Sequence, residues 1–76
     1  MNQRISINPK VCHGKPVIRG TRVLVGNILG ALGSGQTLED VLQDYPNISR
    51  ADVLAAIDFA GQLSRFEEAP YEVCAP

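Results

Sequence analysis

The sequence predicts a single, mainly helical domain in which a short strand and a β-hairpin precede three helices. Alternating and turn-forming residues fill the first 24 positions, and apolar residues recur at helical spacing from Val25 onward. Two of the helical segments also begin with a capping signature. Because a brief turn joins the second and third helices, the body is predicted to be a three-helix helix-turn-helix bundle. A chain of 76 residues has room for one domain.

The first 24 residues are predicted to form a basic β arm. Residues 4–8 alternate at the period of a strand, which ends at Pro9. Residues 16–18 and 22–24 are short β-like runs on either side of a turn, and Gly20 in that turn suits a positive φ. These runs predict a tight hairpin, which must pack on the helices because two strands are not stable alone in water.

Each predicted helix carries an apolar stripe at spacing i, i+3, i+4, i+7. The stripes are Val25, Ile28, Leu29 and Leu32 in the first helix; Leu38, Val41, Leu42 and Tyr45 in the second; and Val53, Ala56, Ile57, Ala60 and Leu63 in the third, flanked by Leu54, Phe59 and Phe66. Gly26 and Gly30 lie inside the first helix, where they lower its propensity and predict a closely packed neighbouring backbone.

Capping residues and proline set the helix ends. Thr37 with Asp40 and Ser49 with Asp52 have the spacing of a capping box, so they predict the starts of the second and third helices. Pro46 ends the second helix after Tyr45. The predicted parts are the β arm and hairpin at 1–24, the helical body at 25–66 and a flexible acidic tail at 67–76.

Positive charge is concentrated in the arm. The chain has a net charge of −1, but no acid precedes Glu39, and the rest of the chain carries two arginines against eight acids. The arm cations are Arg4, Lys10, Lys15, Arg19 and Arg22. This asymmetry leaves two interpretations open: the arm binds an acidic partner, or its cations are neutralised by carboxylates of the body.

The sequence offers little that predicts catalysis, a metal site or a cofactor. Cys12, His13 and Cys74 supply at most three zinc ligands without paired spacing, so we expect free thiols and no metal. A phosphate-binding loop is excluded because Pro9 and Pro16 occupy positions where its pattern needs Gly and Ser or Thr. With one histidine and no evident nucleophile–base pair, we expect no enzyme and no small-molecule substrate.

A nucleic-acid interface has mixed support. The third helix would enter the major groove, yet Arg50 is its one early base-reading residue, and Asp52 and Asp58 would be repelled by phosphates. Lys15, Arg19 and Arg22 suit phosphate contacts better. The alternative is that Arg19 and Arg22 hold the hairpin on the helices through carboxylates such as Glu39.

The stretches "GKPVIRGTRV" and "GQTLEDVLQDYPNISRADVLAAIDFA" resemble family four hundred and thirty-three of the domains of unknown function, a group of VapB-like antitoxin type. The resemblance covers roughly residues 9–60. Its marks are Gly14, Pro16, Ile18, Gly20, Thr21, Arg22, Gly35, Thr37, Tyr45, Pro46, Ile48, Asp52, Val53, Ala56, Ile57, Phe59 and Ala60. The chain departs from the family at His13, where Gly is frequent, and at Phe59, where Tyr is frequent.

The resemblance implies a homeodomain-like or winged-helix-like fold, a homodimer, and a non-catalytic antitoxin that binds a PIN-like ribonuclease toxin and operator DNA. An arm arginine would approach the acidic, metal-holding site of the toxin. The candidate contact residues are Lys15, Arg19, Arg22, Arg4 and Arg50, and the candidate structural residues are Gly14, Pro16, Gly20, Thr21, Tyr45 and Pro46. The alternatives are a stand-alone DNA-binding regulator and a dimerisation or adaptor module.

We expect a cytoplasmic protein with no membrane partner. The first residues do not resemble a signal peptide, and the longest nearly apolar run is shorter than the roughly 20 residues that span a bilayer.

Overall fold

The computed structural model describes residues 3–66 and confirms the predicted fold class: two short strands and three helices. The predicted tail at 67–76 and Cys74 lie outside the described residues. The elements are β1 (Ile5–Ser6), a single 3-10 turn (Cys12–Gly14), β2 (Val17–Ile18), α1 (Val25–Gly33), α2 (Leu38–Asp44) and α3 (Arg50–Phe66).

The β arm is built around β2. Its ladder partner is β1, which runs antiparallel with Ile5 opposite Ile18. The predicted hairpin is present in reduced form, because one isolated bridge joins Val17 to Leu24 and the Ile18 amide donates to the Val23 carbonyl at 3.0 Å. Residues 22–24 are therefore a bridge beside β2 and not a third strand.

The hairpin turn follows its predicted chemistry. Gly20 has a φ of +81°, and the Thr21 amide donates to the Ile18 carbonyl at 2.9 Å, as in a turn whose third residue is left-handed. The Thr21 hydroxyl also donates to the Ile18 carbonyl at 2.7 Å and accepts from the Val23 amide at 3.0 Å. Thr21 thus satisfies backbone groups on both sides of the turn.

The core lies between the β arm and the three helices. Its largest fully buried side chains are Ile5, Val17, Ile18, Val25, Ile28, Val41 and Val53. The predicted stripes of α1 and α2 are confirmed, since Ile28 and Val41 are fully buried and their stripe neighbours are at least partly buried.

The predicted stripe of α3 is wrong at two positions. Val53 and Ala56 are buried, but Ile57 is 45% exposed and Leu63 is 49% exposed. The buried face is rotated towards Ala55 and Phe59, which was predicted as a flanking residue. Ile57 faces away from the core as a result, while Leu63 lies in a turn where 62–65 are all exposed.

The expectation of a close neighbour at the α1 glycines is also wrong. Gly26 and Gly30 are exposed, and a Cβ placed on either would meet no atom within 4 Å. They lie on the solvent side of α1, whose other side contributes Val25 and Ile28 to the core.

Both predicted capping boxes are present. At α2, the Thr37 side chain accepts from the Asp40 amide, and the Asp40 carboxylate accepts from the Thr37 amide. At α3, the Asp52 carboxylate accepts from the Ser49 amide at 2.9 Å, and the Ser49 hydroxyl accepts from the Asp52 amide at 3.3 Å. These bonds satisfy amides that have no partner inside the helix.

The turn between α2 and α3 is short. Tyr45 caps the end of α2 and Pro46 follows it, while the Ile48 amide donates to the Tyr45 carbonyl at 3.1 Å. Pro46 prevents α2 from continuing, since it restricts the residue before it and has no amide hydrogen. The buried Ile48 side chain then joins the turn to the core before Ser49 starts α3.

Candidate partner-binding surface

Arg19, a candidate contact residue, holds the β arm together. Its Nε donates to the Gln3 carbonyl at 2.6 Å and its Nη2 to the Ile5 carbonyl at 3.2 Å. Its own amide donates to the Arg4 carbonyl at 2.7 Å. The guanidinium therefore binds the backbone at the start of β1 and just before it, and satisfies carbonyl oxygens there. One interpretation of the sequence was that Arg19 pairs with a carboxylate such as Glu39. In the structure, Arg19 binds these backbone carbonyls instead.

Arg4, a second candidate, ties the arm to the helical body. Its Nη1 lies 3.1 Å from the Asp52 Oδ1, while the other oxygen of that carboxylate caps α3. Asp52 thus joins the start of α3 to the residue that precedes β1. The Arg4–Asp52 pair forms part of the wall of an open cleft, which is also lined by Gln3 and Arg19.

The environment of Asp52 lowers its pKa. Burial, the largest single influence, raises the pKa of a carboxyl by penalising its charged form, but three bonds together outweigh it. These are the bond from the Ser49 amide and those from the Arg4 guanidinium and the Ser49 hydroxyl, and Coulomb attraction to Arg4 adds to them. The carboxylate is therefore held in its charged form.

The remaining arm cations are directed to solvent. Lys10, Lys15 and Arg22 are exposed, and none of their side chains makes a hydrogen bond or ion pair with any residue of 3–66. We call these three residues the cationic surface. Internal neutralisation by a carboxylate thus applies to Arg4 alone: the carbonyl-bound Arg19 keeps its charge, as do the three residues of the cationic surface.

The loop at 8–15 and the hairpin turn carry the residues of the cationic surface. The thiol of Cys12 lies 3.8 Å from the Arg22 carbonyl oxygen, which brings the loop at 8–15 against the hairpin turn. A shallow groove beside Arg22 is lined by Ser6, Val11, Val17, Gly20, Thr21 and Arg22. Arg22 therefore stands at the edge of a partly apolar depression and not on a flat face.

The loop at 8–15 contains a left-handed turn. Cys12, His13 and Gly14 have φ values of +50°, +59° and +82°. Each left-handed residue other than Gly costs roughly 1–2 kcal/mol, so the first two are strained. Bonds from the Gly14 amide to the Val11 carbonyl and from the Lys15 amide to the Cys12 carbonyl, at 3.1 and 3.2 Å, hold the turn closed. His13 is exposed, as expected of a polar loop residue.

Gly14 and Pro16, two of the candidate structural residues, lie on either side of Lys15. Gly14 lies against Pro9, whose Cα would be 3.6 Å from a Cβ at that position. The Pro16 carbonyl accepts from the Val25 amide at 3.0 Å, which joins the arm to the first turn of α1. Both residues therefore position the backbone on either side of Lys15.

Arg50, the last candidate, begins α3 far from the other cations in sequence. Its Nη1 lies 3.7 Å from the Glu39 Oε2, and both side chains are largely exposed. The neighbouring outward residues are Leu54, which is 51% exposed, Ile57 and the acidic Asp58. Arg50 is the one early cationic base reader on this face, and phosphates repel the carboxylate of Asp58, so the face is poorly suited to the major groove.

Sequence reasoning missed the dual role of Asp52 and the carbonyl contacts of Arg19. The capping box marked Asp52 as a helix start, but nothing in its spacing indicated Arg4.

In the part of the chain that the structure describes, no three His, Cys, Asp or Glu side chains come together as a metal site would require. None of the helices over 3–66 is long and apolar enough to cross a membrane.

Comparison with known proteins places this geometry in context. A family model described as "Protein of unknown function (DUF433)" matches residues 5–60. An uncharacterized protein y4eO from Sinorhizobium fredii (strain NBRC 101917 / NGR234) is 29% identical over 56 residues, which are 74% of this chain and 25% of that protein.

A solved structure is similar as well. The crystal structure of a DUF433 member protein from Anabaena variabilis ATCC 29413 superposes with a TM-score of 0.76 at 30% identity, covering 83% of this chain and 62% of the other. The chain thus spans a quarter of the curated relative and less than two thirds of the solved one.

Proposed function

The chain belongs to the DUF433 family, and we propose that it is a non-catalytic antitoxin that binds and inhibits a PIN-like ribonuclease in the cytoplasm. The observation that carries this proposal is the cationic surface of Lys10, Lys15 and Arg22, three exposed cations without partners among residues 3–66. A nuclease that holds its metal with carboxylates presents the opposite charge.

Arg22 is the residue we place in the acidic site of the nuclease. Arg4 and Arg19 are already engaged by Asp52 and by backbone carbonyls, whereas the Arg22 guanidinium makes no bond within residues 3–66. A guanidinium can bind a carboxylate through two parallel bonds and, once desolvated, competes with the metal for those oxygens. The groove beside Arg22 gives the partner an edge on which to pack.

The reactive groups of the arm support binding over catalysis. The Cys12 thiol is half-buried and directed to the Arg22 carbonyl oxygen at 3.8 Å, which makes it part of the loop contact. His13 is exposed on a strained turn, and its imidazole makes no hydrogen bond or ion pair within residues 3–66. Among residues 3–66, neither side chain has a hydrogen-bonded base or orienting group of the kind that a nucleophile requires.

The proposal predicts that a small nuclease with an acidic site is encoded beside this chain. The test is co-expression of the two proteins, followed by an RNA-cleavage assay with the purified pair. We expect the wild-type chain to restore growth and block cleavage, and Arg22→Ala to weaken inhibition at least about tenfold, as loss of a buried charged anchor does. Arg65→Ala is the matched control, because Arg65 is an exposed arginine at the far end of α3.

Circular dichroism must show that all variants fold. Arg22→Lys, which keeps the charge but loses the paired bonds, is expected to inhibit at an intermediate level. Full inhibition by Arg22→Ala, or equal losses in Arg22→Ala and Arg65→Ala, would contradict the proposed role of the cationic surface.

Binding of operator DNA is the second candidate, because the same three cations suit phosphates. It predicts that affinity for duplex DNA falls steeply as the salt concentration rises. Lys15→Ala is expected to reduce the slope of log affinity against log salt concentration by about one. Fluorescence anisotropy at several salt concentrations measures this slope. If the chain does not bind DNA even at low salt, this second candidate is wrong, and the nuclease remains the proposed partner of the cationic surface.

A further inference from the structure

β1 has a free side in this fold. The sheet has two strands, and the far side of β2 is covered because Val17 forms a bridge with Leu24. Within residues 3–66, no strand lies on the side of β1 that faces away from β2, which we call the outer edge. The backbone amides and carbonyls of such an edge can pair with a strand of another chain. The outer edge of β1 is therefore open to unwanted strand pairing unless something blocks it.

The hydrogen bonds between β1 and β2 show which carbonyls face the outer edge. The Arg19 amide donates to the Arg4 carbonyl at 2.7 Å, so that carbonyl faces β2. Successive carbonyls of a strand point to opposite sides, and those of Gln3 and Ile5 therefore face away from β2. The ladder agrees, because Ile5 stands opposite Ile18 and the Ile18 amide donates away from β1. The two carbonyls that the Arg19 guanidinium binds are thus those of the outer edge.

We propose that Arg19 closes the outer edge of β1 against a second extended strand. Its Nε and Nη2 donate to the Gln3 and Ile5 carbonyls at 2.6 and 3.2 Å, while its own amide holds the Arg4 carbonyl on the inner side. One residue thus contacts both sides of the same strand. The guanidinium also leaves a positive charge at the edge, and charged side chains are a common means of protecting edge strands.

The β1 strand of a second copy is the strand that this contact excludes most directly. Antiparallel pairing centred on Ile5 sets Ile5 opposite the partner's Ile5 and Gln3 opposite the partner's Ile7, so all outward groups face one another. Arg19 occupies the first two of the three outward carbonyls between residues 3 and 7. Ile7 is 47% exposed and adds apolar surface that a second strand would cover. Without the guanidinium, the edge therefore offers both hydrogen bonds and apolar contact.

Hydrogen exchange at the Ile5 amide tests the proposal, because this amide faces the outer edge and donates to the second copy in the paired form. Arg19→Ala frees both carbonyls. We expect exchange of the Ile5 amide in this variant to slow at least about tenfold between dilute and concentrated protein, as full pairing requires. The wild type is expected to show no such dependence on concentration, and this readout is specific to the edge whatever other faces of the protein associate.

Two variants control for charge and for stability. Arg22→Ala removes the same charge from the neighbouring turn, where the guanidinium makes no bond within residues 3–66. Gly20→Ala strains the turn at its φ of +81° and leaves Arg19 in place. Exchange at the Ile5 amide is expected to be independent of concentration in both. A result confined to the Arg19 variant is then due to the guanidinium on the carbonyls.

A proline on the edge gives a second probe. Ile7→Pro removes an outward amide that the pairing needs, and proline is tolerated on an edge strand where the N–H faces solvent. In the Arg19→Ala background, Ile7→Pro is expected to abolish the dependence of exchange on concentration. Circular dichroism checks that the variants keep the wild-type helical signal. If Arg19→Ala unfolds, Arg19→Gln combined with Gly26→Ala takes its place, because Gly26 lies in open space on α1 and alanine there favours the helix.

A folded Arg19 variant whose Ile5 amide exchanges at the same rate at every concentration would overturn the proposal. The same holds if Gly20→Ala shows an equal slowing, or if the slowing survives Ile7→Pro. Inhibition of the nuclease depends on Arg22, which this experiment uses as a control, so failure of one proposal is distinguishable from failure of the other.

Discussion

Asp52 is expected to contribute more to stability than its counterpart in the other capping box, because it also binds Arg4. Asp52→Ala removes a cap worth about 1 kcal/mol and a partly exposed ion pair worth about 0.5 kcal/mol. The summed loss of about 1.5 kcal/mol lowers the Tm of a domain of this size by roughly 6–12 °C. Asp40→Ala removes a cap with the same geometry and no arginine partner, so a smaller loss is expected.

A double-mutant cycle isolates the ion pair. Arg4→Ala is expected to destabilise the wild-type chain by about 0.5 kcal/mol more than it destabilises Asp52→Ala, since its partner is then absent. Other contacts of Arg4 cancel in this comparison. The control cycle pairs Arg4→Ala with Asp40→Ala, for which additive losses are expected. Urea unfolding followed by circular dichroism gives the free energies, and equal coupling in the two cycles would refute the link between arm and helix.

The stability that Asp52 contributes depends on pH in a defined direction. Its pKa is lower in the folded chain than the ordinary carboxyl value of 3.8. The contribution is therefore fully present above that value and is lost as the pH falls through the folded pKa. The difference in unfolding free energy between wild type and Asp52→Asn is expected to be constant above about pH 5 and to shrink below pH 4. A difference that grows on acidification would contradict the assignment.

Three further predictions concern the backbone. Arg19→Gln is expected to destabilise the fold by about 1–3 kcal/mol, because it leaves carbonyls of β1 without the guanidinium, and urea unfolding measures the loss; an unchanged midpoint would contradict its structural role. Gly20→Ala is expected to cost about 1 kcal/mol at its φ of +81°, measured by Tm against the wild type. Gly26→Ala and Gly30→Ala are each expected to stabilise α1 by about 0.5–1 kcal/mol, since open space surrounds them; a lower Tm would show a neighbour there.

The helical part of the fold follows closely from the sequence, and the error in the α3 stripe has a clear origin. α1 and α2 have a single apolar face each, so spacing identifies Ile28 and Val41 as core residues. α3 has large apolar residues around much of its circumference, and more than one stripe fits the same spacing. The Phe59 ring settles which side is buried, because its volume fills the core, and it leaves Leu54 and Ile57 outside.

The roles of the arm arginines were harder to predict for a different reason. A carboxylate partner is visible in the sequence as Asp or Glu, whereas every residue has a carbonyl oxygen. The contacts of Arg19 with the Gln3 and Ile5 carbonyls therefore leave no pattern to detect. Arg4 and Asp52 are 48 positions apart, and their meeting depends on the packing of all three helices. Charge asymmetry predicted a basic arm, and tertiary structure selects which of its cations stay outside.

The Arg4–Asp52 contact also has a consequence for the order of assembly. It closes a loop of 48 residues, which is entropically expensive until the intervening helices are packed. The leading strand therefore docks late, once the third helix offers a formed first turn. Partial denaturation should release that strand before the bundle melts, and a protease that cleaves after lysine would then have early access to Lys10.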